Sequence, residues 1–245
     1  MSATSQSRDR TVQSMFDRIA GRYDLVNGVI SFRLDRWWRR QVIEAVLTGE
    51  QPGILDLGTG TGDLVFDAAR ATRGKGFFVG LDFSPRMLEL ARAKQDKIVR
   101  EACTGFVLGS AMFAPFKDNS FDGAMSAFVL RNVSDLPLLF AEAYRVLKPG
   151  ARFVSLDMFP PQTSWFSALY SVYFDRLMPR VGGLLARDLD AYRYLSDSVR
   201  RFHSPENVTI LIEQAGFRSA ALRKYLGGAV CMHIADKPHP LATQT

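Results

Sequence analysis

The residues from Ile54 to Leu64 read Ile-Leu-Asp-Leu-Gly-Thr-Gly-Thr-Gly-Asp-Leu and hold the densest set of chemistry-bearing positions in the chain. Gly58, Gly60 and Gly62 alternate along a turn, and glycine is the residue that accepts positive φ or lets a ligand approach the backbone closely. Asp56 precedes them and Asp63 follows. A helix opening directly behind such a loop aims unpaired N–H groups at whatever binds there. About 20 residues on, the apolar run Phe77-Phe78-Val79-Gly80-Leu81 ends in Asp82, a carboxylate placed to hold both hydroxyls of a ribose. Together these residues describe a nucleoside-cofactor site on a Rossmann-like sheet. An ordinary glycine-rich strand–helix turn accounts for the loop alone, but not for Asp82 at that distance.

The loop also bears on the kind of cofactor. The dinucleotide fingerprint G-x-G-x-x-G brings a pyrophosphate to the helix start. Here the third glycine comes one residue early and Asp63 follows it, where its charge repels a pyrophosphate. With Asp56 it suits the ammonium of an amino acid instead. That combination resembles the D-x-G-x-G-x-G loop of class I methyltransferases that use S-adenosylmethionine.

Further candidates stand at strand ends. Arg131 and Asn132 follow a fourth apolar run, Gly123 to Leu130, and Asp157 follows a fifth, Arg152 to Leu156. In sheets of this class the carboxyl ends of the strands border the ligand cleft. Arg131 reads equally well as a cation facing the cleft or as a salt bridge to a helix. His203 and His233 are alternative candidate bases, since histidine as a residue type titrates near neutrality, but a lone histidine is more often structural.

The elements that must position these residues alternate regularly. Leu34, Trp37, Trp38, Val42, Ala45 and Val46 recur at helical spacing, with Arg33, Arg36 and Arg40 elsewhere on the helix surface. This helix is expected to pack on the sheet, and Ala20 to Asp24 before it reads as a polar turn. Ser84-Pro85 caps and starts a helix after the second strand. Phe106 to Leu108 is a short third strand. Ser134 is expected to cap a helix that stops at a Lys148-Pro149-Gly150 turn. Ser204-Pro205 starts another helix, Gly216 closes it, and Ser219 to Tyr225 with Gly228 to Ile234 form a terminal strand pair. The expected fold is α/β: a doubly wound, mostly parallel sheet forming a single domain over residues 1–245. Within it, about 12–158 make the cofactor-binding core and about 159–201 an aromatic insertion. Residues 202–236 supply the last helix and strand pair. Met1 to Arg10 and the tail after Lys237 read as frayed ends.

Composition narrows the class. A chain of 245 residues carries one α/β domain with a full core. The net charge of +6 permits contact with anionic lipid or nucleic acid without showing it. No basic stripe with interleaved aromatics and no Asn-Pro-Pro-Tyr motif is present, so a nucleic-acid partner is not expected. Cys103 and Cys231 lie far apart and make no metal motif, which fits a reducing cytoplasm; no metal is expected. No signal-peptide pattern opens the sequence, and no stretch approaches the roughly 20 apolar residues of a membrane helix.

Specific motifs extend over nearly the whole sequence. They include Phe16-Asp17-Arg18-Ile19-Ala20-Gly21-Arg22-Tyr23-Asp24, Trp37-Trp38-Arg39-Arg40, Leu130-Arg131-Asn132-Val133 and Tyr144-Arg145-Val146-Leu147-Lys148-Pro149-Gly150. Leu177 to Gly182, Ala191 to Ser198 and Ala215-Gly216-Phe217 continue the pattern. On these motifs the chain closely resembles the ubiquinone/menaquinone C-methyltransferase family (UbiE-like). The resemblance implies a class I fold with a helical lid and S-adenosylmethionine as cofactor. The substrate it implies is a prenylated demethylquinol, methylated at a ring carbon. It implies a cofactor set of Tyr23, Asp56, Gly58, Thr59, Gly60, Thr61, Gly62, Asp82, Phe83, Ser110, Ala111 and Ala127. Arg131, Asn132 and Asp157 are the implied catalytic group, with Arg131 stabilising a phenolate and Asp157 a candidate base.

Departures fall at Ser110, where the family commonly has Asn or Asp, and at Ala127, where it has serine. Others are Asp157 for a glutamate, Phe159 for a serine, and Leu226-Gly227 for a threonine and a small residue. The alternatives are N- or O-methylation of another small molecule, or a cofactor-binding subunit without turnover. With Trp165, Phe166, Tyr170, Tyr173, Phe174, Tyr192 and Tyr194, the insertion reads as a plain helical subdomain whose aromatics fill its own core or as a lid lining an apolar tunnel, and its length and position after the fifth strand favour a lid that does both. Its Trp165 to Phe174 stretch, with Arg176 and Arg180, is expected to make transient contact with the inner membrane surface. A homodimer is compatible with the sequence.

Overall fold

The computed structural model describes residues 3–98, 103–160 and 188–240. Helix α1 (Ala3–Ile19) leads through a 3-10 turn at Ala20–Arg22 into α2 (Tyr23–Ile30) and α3 (Leu34–Val46). Strand β1 (Gly53–Leu57), helix α4 (Asp63–Ala71), strand β2 (Phe77–Asp82), helix α5 (Pro85–Ile98) and strand β3 (Cys103–Leu108) form the first half of the sheet layer. Strand β4 (Phe121–Ala127), helix α6 (Leu136–Val146) and strand β5 (Leu147–Met158) form the second. Helix α7 (Leu189–Arg200), helix α8 (Pro205–Gln214) and the pair β6 (Arg218–Tyr225) and β7 (Val230–Asp236) complete the order.

The seven strands run β3-β2-β1-β4-β5-β7-β6. The first five are parallel; β7 lies antiparallel between β5 and β6. Chain order reverses between β1 and β4, and the crevice outside the carboxyl ends at such a switch point is where doubly wound sheets bind ligands. Every residue of β1 is buried, as expected for the central strand of a sheet covered on both faces. Ile54 belongs to one core layer, with Trp38, Val42 and Val46 of α3, and Leu55 belongs to the other, with Leu139, Phe140 and Phe153.

Local caps follow the sequence in two places. Ser84 Oγ accepts from Met87 N at 3.1 Å, and Ser204 Oγ accepts from Asn207 N at 3.2 Å. Gly216 closes α8 at φ +102°. Elsewhere the structure corrects the expectation. Asp135, not Ser134, caps α6 by accepting from Leu138 N at 3.0 Å, because its side chain reaches the third helical N–H. Ser134 instead donates to Asp9 at 3.1 Å. Ala3 to Arg10, read as frayed, is helical backbone, and Ala20 to Asp24, read as a turn, is the 3-10 turn and the start of α2.

Strand β4 stops at Ala127, since Phe128 takes left-handed backbone at φ +62° and leaves the sheet. Lys148-Pro149-Gly150 is not a turn outside the strand but an irregularity within β5. Register passes from Phe121 opposite Leu147 to Gly123 opposite Arg152, and Gly150 sits at φ +81°. Trp37, read as part of the core stripe of α3, is exposed and meets Tyr225 edge-on at 5.2 Å. Trp165 to Phe174, Arg176 and Arg180 lie outside the described residues.

Candidate active site

The glycine loop leaves β1 and wraps the start of α4. Gly58 N and Thr59 N both donate to Leu81 O, at 2.8 and 3.0 Å, tying the loop to the end of β2. Gly60 has φ +55° and faces open space where a Cβ would stand, so its backbone is bare toward the cleft. Gly62, at φ +82°, is packed so closely by Phe106 and Phe66 that a Cβ there would collide with their rings. One glycine is therefore needed for ligand approach and the other for packing.

A cavity of about 500 Å³ opens above this loop. Asp56 and residues 58–61 form its polar wall; Trp38, Leu64, Phe128, Met158 and Val230 are among its apolar lining. Asp56 is buried and its Oδ2 has no hydrogen-bond partner. Burial pushes its carboxyl up to about 7, the neighbouring charge of Asp82 adds to this, and the Thr59 hydroxyl opposes it. An unpaired buried carboxylate facing a cavity is stabilised by a cation placed there.

Asp63 behaves differently from the expectation. Lys94 Nζ donates to its Oδ1 at 2.7 Å and Arg39 Nη1 lies 3.6 Å from its Oδ2, so Asp63 is already neutralised. Lys94 also pairs with Asp24 at 2.6 Å and donates to Thr61 Oγ1 at 2.9 Å. Thr61 in turn donates to Asp24 at 2.6 Å. This rim network ties α2 and α5 to the loop and leaves Asp56 as the carboxylate with spare capacity.

The carboxyl end of β2 is arranged otherwise. Asp82 is buried, with Oδ2 accepting from Gly60 N at 2.7 Å and Oδ1 from Ser84 N at 2.9 Å. Burial raises its carboxyl above the usual range, and the backbone N–H groups of Ser84, Gly60 and Phe83 pull it back. Helix α1 lies over this end: Gln13 Nε2 donates to Phe83 O at 2.5 Å, Ser84 Oγ donates to Asp17 at 2.5 Å, and Phe16 meets the Phe83 ring edge-on. Ser110 Oγ accepts from Met112 N at 3.2 Å, and Ala111 packs on the core. Asp82, Phe83, Ser110 and Ala111 do not line the cavity, whereas Tyr23, Asp56, Gly58, Thr59, Gly60, Thr61 and Ala127 do. Burial raises the Tyr23 phenol, and the charge of Arg131 opposes that rise.

Past the left-handed turn at Phe128, a 3-10 turn over Leu130–Asn132 swings Arg131 back toward the sheet. Arg131 is buried. Its Nη1 donates to Asp157 Oδ1 in a short contact, and its backbone N–H donates to Asp157 Oδ2 at 3.3 Å. Asp157 also accepts from Met158 N at 2.7 Å. Arg131 Nε has no partner. The guanidinium stands between the loop cavity and a second one of about 620 Å³, which Arg8, Tyr194 and His203 also line.

Asp157 lines neither cavity, so the structure places it behind Arg131 as that residue's anchor and not as a base facing a substrate. Asn132 is likewise turned away, donating to Phe128 O at 3.3 Å. His233 is buried, its Nε2 lies 2.9 Å from Pro205 O, and burial lowers its pKa below the usual histidine value while the Pro205 carbonyl and Asp157 oppose that fall. Sequence reading finds Arg39 and Asp17 only inside longer motifs and does not find Lys94, Gln13 or the rim pairing, because single charged residues on helices carry no pattern that separates a rim network from a solvated face.

The residues present, an unpaired Asp56 Oδ2, a bare Gly60 backbone and Asp82 beside the loop, are compatible with S-adenosylmethionine. Comparisons with known proteins identify the family. Residues 4–237 match the ubiE/COQ5 methyltransferase family. The chain belongs to that family. It is a class I S-adenosylmethionine-dependent methyltransferase. Among curated relatives, the demethylmenaquinone methyltransferase of Thermus thermophilus is 40% identical over 91% of this chain and 100% of its own. The ubiquinone/menaquinone biosynthesis C-methyltransferase UbiE of Geobacter sulfurreducens is 38% identical, covering 92% of this chain and 88% of its own.

Solved structures share the fold. A SAM-dependent methyltransferase from Aquifex aeolicus has a TM-score of 0.61 at 20% identity, over 81% of this chain and 89% of its own. A putative methyltransferase solved with the Haloferax volcanii Trm112 activator has 0.65 at 22%, over 91% and 98%. Among the described residues, no group of acids, histidines and cysteines is arranged to hold a metal ion, and no helix is long and apolar enough to cross a membrane.

Proposed function

We propose that this chain transfers a methyl group from S-adenosylmethionine to a ring carbon of a prenylated demethylquinol, with demethylmenaquinol the preferred substrate. The observation that carries the reading is Arg131, a buried cation in the wall of a largely apolar cavity whose far side is the cofactor loop. When bound, S-adenosylmethionine supplies a methyl group already activated by its positive sulfur. The chain's residues supply the rest. Asp56 holds the ammonium, Asp82 the ribose, and the bare loop backbone lets both ends approach. A hydroquinone ring carbon becomes nucleophilic as its neighbouring hydroxyl loses a proton, and Arg131 stabilises the oxygen charge that develops. Arginine stays protonated, so it acts as an electrostatic partner and not as the base. Asp157 fixes its orientation from behind. Trp38, Phe128, Met158 and Val230 give the cavity an apolar lining where charge interactions are strong.

The transfer forms a carbon–carbon bond, returns the carbon–sulfur pair to sulfur, and releases one proton overall. It requires the reduced quinol, since an oxidised ring has no hydroxyl to deprotonate. The enzyme is proposed to act without metal or nucleic acid, at the inner membrane surface where a prenylated quinol resides.

The test is methylation of reduced demethylmenaquinol, followed by mass spectrometry, alongside the quinone profile of cells with and without the protein. Methylated product is expected from the quinol and none from the oxidised quinone. Full-rate transfer to the oxidised form overturns the carbon-nucleophile mechanism. Arg131→Ala is expected to lower turnover on the order of 100- to 1,000-fold, with cofactor affinity changed less than about threefold. Equal turnover removes the role assigned to Arg131.

A further inference from the structure

The mouth of the loop cavity is bordered by Phe32 and Leu34 on one side and Leu226 on the other. Both sides carry bulky apolar residues that the fold does not bury. Leu25, Val29, Leu34, Trp37 and Leu226 are between 38% and 61% exposed. Leu25 and Val29 are one turn apart on α2, whose Val26 is buried. Trp37 joins the two sides through its edge contact with Tyr225, the residue before Leu226.

The backbone here is held in an uncommon form. Phe32, Arg33 and Leu226 have φ of +50°, +61° and +48°. For bulky side chains left-handed backbone is disfavoured, because Cβ comes too close to the following carbonyl oxygen. Strained residues of this kind cluster at functional surfaces.

The charges on this face are not balanced. Arg33, Arg36 and Arg223 are exposed and form no ion pair among the described residues. The acids nearby are already taken: Asp35 by Arg39 at 2.7 Å, Asp24 by Lys94 at 2.6 Å, Glu44 by Arg40 at 2.7 Å, and Glu206 by Lys224 at 2.7 Å. The uncompensated charge beside the apolar residues is therefore positive. An apolar patch ringed by unpaired arginines is complementary to one kind of surface, an anionic lipid leaflet. Arginine in particular suits lipid phosphate through its fork of donors.

We propose that the α2–α3 turn and the β6–β7 tip form a docking face for an anionic bilayer, seating the cavity mouth at the membrane surface. The proposal rests on the quinol reading for its purpose, because a prenyl tail enters from lipid. It places the contact on residues outside the aromatic insertion.

The test uses the full chain and vesicles of phosphatidylcholine with or without phosphatidylglycerol. The wild-type protein is expected to float with the anionic vesicles at low salt and to be released at high salt. Each arginine near an anionic leaflet contributes about fivefold to partitioning. The double variant Arg33→Glu, Arg36→Glu is therefore expected to lose binding on the order of 25-fold or more, and the double variant Leu25→Glu, Val29→Glu to lose it also. Melting temperatures report that both variants fold. Turnover on a short-tailed, water-soluble demethylquinol is expected to stay within about twofold of wild type, while turnover on vesicle-embedded substrate falls with binding.

Failure of wild type to float, or unchanged flotation of both variants, overturns the docking face even if quinol is methylated. A wild-type dimer that the variants dissociate, without flotation of either, assigns the face to a second copy and overturns the proposal. Crosslinking of α2 to residues 161–187 without flotation gives it to that segment and does the same. Flotation lost in the variants with no quinol methylated by any form upholds the face and refutes the substrate reading.

Discussion

The two ends of the cofactor cleft are built on opposite terms. At the Asp56 end the loop is open, and one carboxylate oxygen, Asp56 Oδ2, has no hydrogen-bond partner among the described residues. At the Asp82 end both carboxylate oxygens accept backbone N–H groups, and α1 is hydrogen-bonded across Phe83 and Ser84. The first end waits for a charge; the second is already satisfied from within the chain. A ligand gains most where the protein has left a buried group unpaired, and gains less where it must share or displace existing bonds.

The comparison is broken or sharpened by substitutions of falling size. Asp56→Asn is expected to weaken cofactor binding on the order of 100- to 1,000-fold in calorimetry, since it removes one partner of a buried charge pair. Its effect on the cofactor-free protein has the opposite sign. Burial raises Asp56 from 3.8 to about 7, so the folded state holds an extra proton between those values. That contribution to stability is full at low pH and is lost as pH rises through about 7. The asparagine amide carries no charge to bury, so at pH 8 the variant should melt higher than wild type while binding cofactor worse. A variant that melts lower and binds equally well removes the distinction between the two ends.

Asp82→Ala is expected to weaken binding by about 10- to 100-fold, less than the change at Asp56, because the lost acceptor was already shared with Gly60 and Ser84. A larger loss at Asp82 than at Asp56 reverses the comparison. Loosening α1 with Gln13→Ala or Asp17→Ala is expected to speed cofactor dissociation by about 2- to 10-fold in stopped-flow measurements, with little change in catalytic turnover per bound cofactor. The smallest effect is in protons. Cofactor binding at pH 7 ionises Asp56 and should release a fraction of one proton, read as a dependence of the binding enthalpy on the buffer's ionisation enthalpy. Affinity should fall as the pH drops through about 7. A binding enthalpy independent of buffer removes Asp56 from the ammonium site.

The same contrast explains how much of the site could be read from sequence. The open end was legible because its chemistry is local: glycines, Asp56 and the helix start lie within a few residues of each other. The mostly parallel doubly wound sheet followed from the alternation of strand and helix, and the caps at Ser84 and Ser204 from a two-residue signal. The closed end depends on Gln13 and Asp17 meeting Phe83 and Ser84 across 70 and 67 positions of sequence, and no local pattern announces such a meeting. Asp157 was visible as a strand-end carboxylate, but only the path of Arg131 through the left-handed Phe128 turn shows that the two are joined. Trp37 was misread because spacing on a helix gives a face and not what covers it; Trp37 is exposed and meets Tyr225 edge-on.

The place of β7 has a consequence for how the protein is made. It is the last strand in the chain, yet it lies between β5 and β6 and pairs with both. As the chain leaves the ribosome, β5 has only β4 beside it, and its other edge, from Arg152 to Met158, stays unsatisfied until Val230 to Asp236 arrive. Pairing across that separation is slow compared with local contacts, and open strand edges are aggregation-prone while they wait. The anchor of Arg131 sits on that edge, since Asp157 pairs with Cys231 in the β5–β7 ladder. The outer edge of the strand that carries Asp157 is thus completed only when Val230 to Asp236 pair with β5.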